Sequence, residues 1–86
     1  MDRKQANVLL AVILETVAEA SAIGAPEGPM YAAMMGHGVE LADFQTLVEF
    51  AVSADLVKKS GHLLTITSKG REMVAKIAAA RTARAS

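Results

Sequence analysis

The chain has 86 residues and no cysteine. Disulfide bridges and thiolate metal sites are therefore excluded, and the redox state of its compartment leaves no mark on the sequence. Aromatic residues are nearly as scarce, being limited to Tyr31, Phe44 and Phe50. A core must then draw its volume from many Ala, Val, Leu, Ile and Met side chains. Nothing approaches the roughly 20 apolar residues of a membrane-spanning helix, and no membrane contact is expected. Basic residues are missing from a long interior stretch, since no Lys or Arg occurs between Lys4 and Lys58.

What is present is one domain's worth of chain, enough for a single modest core but not for a separate catalytic cleft. Its formal charge is zero, unevenly spread. Residues 1–55 carry two basic and eight acidic side chains, a net of −6, and residues 56–86 carry seven basic and one acidic, a net of +6. Such asymmetry creates a polar surface field that can steer an anionic partner to the C-terminal half or draw two copies together.

Asp2 and Gln5 have capping-box spacing and precede a segment, Ala6 to Ala20, in which 11 of 15 residues are apolar. This predicts a long N-terminal helix within residues 1–24. Its apolar residues occupy two sides, Leu9, Val12, Ile13 and Ala20 on one and Leu10, Leu14 and Val17 on the other. A chain this short supplies one covering surface, so the expectation is a homodimer with Leu9, Leu10, Ile13, Leu14 and Val17 at its interface. Arg3-Lys4, the seven-residue apolar run Val8 to Leu14 and the small residues around Ala18 to Ala22 also mimic a secretory signal. Asp2 in the basic start and Glu15 and Glu19 near the cleavage region argue for the helix instead, and the expected location is the cytoplasm.

Gly24 to Pro29 reads as a turn, with Pro29 opening a short helix that buries Met30, Ala33 and Met34 and stops at Gly36. From Val39 to Ala54, Leu41, Phe44, Leu47, Val48, Ala51 and Val52 share one helical face. The opposite face carries Glu40, Asp43, Gln45, Thr46, Glu49 and Ser53. Residues 29–54 thus make two helices joined by a short Gly-containing turn, a helix-turn-helix. Asp55 falls where a left-handed C-cap residue is expected.

Leu56 to Arg71 reads as strand, tight turn, strand and helix start. A two-residue Ser60-Gly61 turn sets Val57 opposite Leu64, with Val57, Leu64 and Ile66 toward the core and Lys58, Leu63 and Thr65 away from it. Thr67 suits an N-cap, and Gly70 permits close approach of the turn that follows. The last helix, within residues 68–84, presents Met73, Val74, Ile77 and Ala80 inward and cations including Arg81 outward, and the tail from Arg81 reads as frayed.

Helix, short helix, turn, helix, hairpin and final helix, with Leu63-Leu64-Thr65-Ile66-Thr67-Ser68-Lys69-Gly70-Arg71 running from strand into helix, resembles the winged helix-turn-helix domains of MarR-like and PadR-like prokaryotic regulators. The resemblance covers roughly residues 30–77. It implies a mainly α fold with a small β-hairpin, residues 56–67 forming the wing, and a dimeric transcriptional regulator. It also implies that Gln45, Thr46 and Glu49 meet base edges of duplex DNA while Lys58, Lys59, His62, Lys69 and Arg71 lie near phosphates. The third helix departs from that pattern, carrying Glu40, Asp43 and Glu49 and no base. Affinity for DNA comes mainly from cations that neutralise phosphates, so binding would fall chiefly to the basic wing. The alternative is a winged-helix module whose acidic third helix contacts another protein.

His37 and His62 have no partner ligand at metal-binding spacing. No phosphate-binding Gly loop, nucleophile triad or catalytic carboxylate pair can be assembled. The expectation is a protein without cofactor, metal or enzymatic activity.

Overall fold

The computed structural model describes residues 2–20 and 22–85. Four helices surround a small sheet in the order α1 (Arg3–Glu19), β1 (Ala25–Pro26), α2 (Glu27–Met35), α3 (Leu41–Ser53), β2 (Val57–Ser60), β3 (Leu63–Ile66) and α4 (Ser68–Ala85). The sheet is antiparallel, with strand order β1-β3-β2.

Local chemistry sets most of the boundaries. The Asp2 carboxylate accepts the Gln5 N–H at 2.7 Å and caps α1. α1 ends at Glu19, short of Gly24, because the Ala20 backbone is already extended. α3 closes in a Schellman motif. The Leu56 N–H reaches the Ala51 carbonyl at 2.9 Å and the Asp55 N–H reaches that of Val52 at 3.0 Å, with Asp55 at φ 61° in the left-handed position. Leu56 and Ala51, at the two positions whose apolar side chains accompany this motif, are both buried in the core.

At the start of α4 the Thr67 hydroxyl accepts the Gly70 N–H at 2.9 Å and faces the carbonyl oxygens of Asp55 and Leu56 at 2.5 and 2.9 Å. One hydroxyl thus ties the end of α3, the start of β2 and the first turn of α4 together. Gly70 is buried in this junction, where a Cβ would collide with the Leu56 carbonyl oxygen and sit 2.6 Å from Ile66 Cδ1. No other residue type fits without moving the backbone of Leu56.

Three features differ from the sequence expectation. Ala25 and Pro26 form a strand rather than a turn, pairing with Leu64 and Leu63. Pro26 has no N–H to donate, which an edge strand tolerates, and α2 consequently begins at Glu27, two residues before Pro29. The hairpin turns at Gly61-His62, with Val57 opposite Ile66 and Lys59 opposite Leu64. Gly61 has φ 62°, as the first central position of a type II′ turn requires. The expected pairing differed by two positions, so the assignment of side chains to faces survives: Val57 and Leu64 are buried and Ile66 is half-buried. α4 presents Val74 and Ile77 to the body, whereas Met73 and Ala80 are exposed. Arg81, expected outward and frayed, is ordered in the helix and bound to Glu15 of α1.

The core joins Ile13, Leu14 and Val17 of α1 to Met30 and Met34, to Phe44, Leu47, Val48 and Ala51 of α3, and to Leu56, Val57 and Leu64 of the sheet. Met30 and Met34 are therefore packing residues. Ala33, Leu41 and Val52, read as inward, are exposed.

Candidate functional site

α3 is held against the body by Phe44, Leu47, Val48 and Ala51, which leaves Gln45, Thr46 and Glu49 on its open side, all exposed. Gln45 and Glu49 are one turn apart and line a shallow groove with Phe44, Val48, Glu27 and Lys59. The far wall of that groove belongs to β2 and the first turn of α2, so the fold brings the open edge of α3 beside the hairpin. The Phe44 ring is braced from behind by Tyr31, with centroids 5.4 Å apart and planes inclined at 51°. The Thr46 hydroxyl donates to the Ala42 carbonyl of its own helix at 2.9 Å, so its proton is already engaged.

The five residues expected near phosphates separate into two groups. Lys59 shares the core side of the hairpin with Val57 and Leu64, and its Nζ lies 3.2 Å from Glu27 Oε1. It is a groove wall whose charge is already paired. Lys58 is on the opposite side of the hairpin and exposed. Lys69 and Arg71 flank the inward Gly70 in the first turn of α4 and are also exposed. The Thr67 junction joins the end of β3 and the start of α4 to Leu56, two residues before Lys58. His62 is exposed in the hairpin turn, its carbonyl accepting the Glu27 N–H at 2.9 Å.

The residues expected at a dimer interface are placed differently. Ile13, Leu14 and Val17 are 0–1% exposed within the chain's own core, and Leu9 and Leu10 are half-buried against it. The apolar surface that α1 does leave open is Val8 and Val12, 57% and 40% exposed. The covering surface proved to be available within one chain, since α1 packs against α3, α4 and the sheet together.

The exposed side of α3 also carries features the sequence reading passed over. Phe50 is 53% exposed and Leu41 49%. Phe50 adjoins Glu49, whereas Leu41 lies on the opposite flank of the helix, beside the stripe that packs on the core. An aromatic residue off the core-facing stripe was the available signal for Phe50. The ion pairs Lys59 to Glu27 and Arg81 to Glu15 had none, because their partners lie far apart in the chain. Among the described residues no group of three His, Cys, Asp or Glu side chains is placed to hold a metal ion, and no described helix is long and apolar enough to cross a membrane. A scan with protein-family models and searches of curated proteins and solved structures found no match to the chain.

Proposed function

We propose that this chain is a winged-helix module that contacts duplex DNA chiefly through cations of its hairpin and of the first turn of α4. The observation that carries the reading is the arrangement helix, strand, helix, helix, hairpin with sheet order β1-β3-β2. It leaves the Gln45 and Glu49 edge of α3 open beside a hairpin whose Lys58 is exposed. Lys58, Lys69 and Arg71 supply the phosphate contacts that position such a module. α3 adds little affinity. Its carboxylates oppose a polyanion, although Gln45 has the donor and acceptor pair that matches adenine and Glu49 can accept from cytosine. The expected behaviour is weak, salt-sensitive binding with slight sequence preference. An electrophoretic shift with mixed-sequence duplexes at low salt tests it. Lys58→Glu with Lys69→Glu should abolish the shift and Gln45→Ala should leave most of it, whereas a shift insensitive to the double charge reversal would count against this reading.

A second reading, protein association through α3, is favoured by the exposed Phe50 next to Glu49 on a helix without a base. A complex recovered by pull-down that Phe50→Ser disrupts, with DNA binding unchanged, would select it.

A further inference from the structure

The solvent side of α1 carries a pattern that its own fold does not use. Gln5, Val8, Val12, Thr16 and Glu19 follow one another at steps of three, four, four and three residues and form a single exposed stripe. Its centre is apolar, with Val8 57% and Val12 40% exposed. Beside it lies an apolar groove of about 280 Å³, in which Val12 and Thr16 face Pro29, Met30 and Ala33 of α2.

The stripe ends in Glu19 at the C-terminus, and Lys4 precedes its other end. Lys4 is in the first turn and Glu19 in the last, with no acidic residue in the first turn and no basic residue in the last. Glu19 opposes the helix dipole at the C-terminus, whereas at the N-terminus the capping Asp2 carboxylate offsets Lys4. Neither Lys4 nor Glu19 forms an ion pair among the described residues, although Lys59 and Arg81 do.

We infer that this stripe is the contact surface for a second copy of the chain, α1 lying antiparallel to α1 about a two-fold axis at Val12. In that arrangement Val12 meets Val12, Val8 meets Thr16 of the second copy, and Lys4 and Gln5 stand opposite Glu19 of the second copy. Lys4 and Glu19 are of opposite sign across the axis, and the two helix dipoles oppose each other. A parallel pairing would set Lys4 against Lys4 and Glu19 against Glu19. The antiparallel pairing is isologous, so it closes at two copies. The side chains of the second α1 also give the apolar groove an occupant.

The 17 residues of α1 make a helix about 25 Å long. A strip of that length is smaller than the roughly 800 Å² per partner of a stable interface. The dimer is therefore concentration-dependent. It does not depend on the DNA reading, and it is measured with the protein alone.

Sedimentation equilibrium of the intact chain, from about 10 μM to about 1 mM, tests the arrangement. A monomer–dimer equilibrium is expected, weakened at least tenfold by Val12→Lys with helical circular dichroism unchanged. Lys4→Glu should weaken the dimer, because it sets a carboxylate opposite Glu19 of the second copy. Adding Glu19→Lys to Lys4→Glu should restore the dimer. A monomer at every concentration would overturn the proposal, as would a dimer indifferent to Val12→Lys or a double charge reversal no stronger than the single one.

Discussion

Thr67 joins three elements through one hydroxyl, accepting from Gly70 and facing the carbonyl oxygens of Asp55 and Leu56. Thr67→Val keeps the shape and removes every one of these bonds, leaving the Gly70 N–H without its cap. The expected cost is about 1–2 kcal/mol, and Thr67→Ser, which keeps the hydroxyl, should lose less than half as much; urea denaturation of the two variants measures the difference. This junction was readable in the sequence because caps are local chemistry. Thr67, Gly70 and Asp55 each stand where a helix end dictates a residue type within a few positions. The hairpin turn was readable only to within one residue, since Ser60-Gly61 and Gly61-His62 both contain Gly61. The core-facing pattern does not distinguish them, because a two-position change of pairing leaves every side chain on its own face.

Among the elements, capping-box spacing and a dense apolar run located α1, amphipathicity located α3, and alternation located β2 and β3. What escaped was whatever depends on a distant partner. β1 has two residues and no periodicity of its own; it is a strand because Leu63 and Leu64 lie beside it. Ile13, Leu14 and Val17, expected at a dimer interface with Leu9 and Leu10, are buried in the chain's own core, since the sequence does not show how many surfaces of its own chain close on α1. The ion pair from Lys59 to Glu27 fastens the hairpin to α2, but the Lys59 side chain is 46% exposed. Solvent screens such a pair, so Lys59→Met should change stability by less than about 1 kcal/mol in thermal melts. The same substitution should lower DNA affinity less than Lys58→Met does, because Lys59 is engaged with Glu27 on the core side of the hairpin. Lys58→Met, on the opposite face, should reduce affinity measurably.

For the whole molecule, the division of charge along the sequence is only partly kept in space. Two cations of the basic half are paired to carboxylates of the acidic half, Lys59 to Glu27 and Arg81 to Glu15. Both cross-links join the C-terminal half to the N-terminal half and reduce the field available to an outside anion. Lys58, Lys69 and Arg71 stay exposed near the Thr67 junction, and the proposal that this chain binds duplex DNA rests on them. The most direct measurement is the salt dependence of binding to a fluorescent duplex. Neutralising about three phosphates predicts a log–log slope near −2.7, so that affinity falls roughly 40-fold between about 50 and 200 mM salt. Replacing Lys58, Lys69 and Arg71 together by Ala should remove most of that slope along with the affinity. No binding at the lowest salt, or a slope near zero for the unaltered protein, would contradict the account.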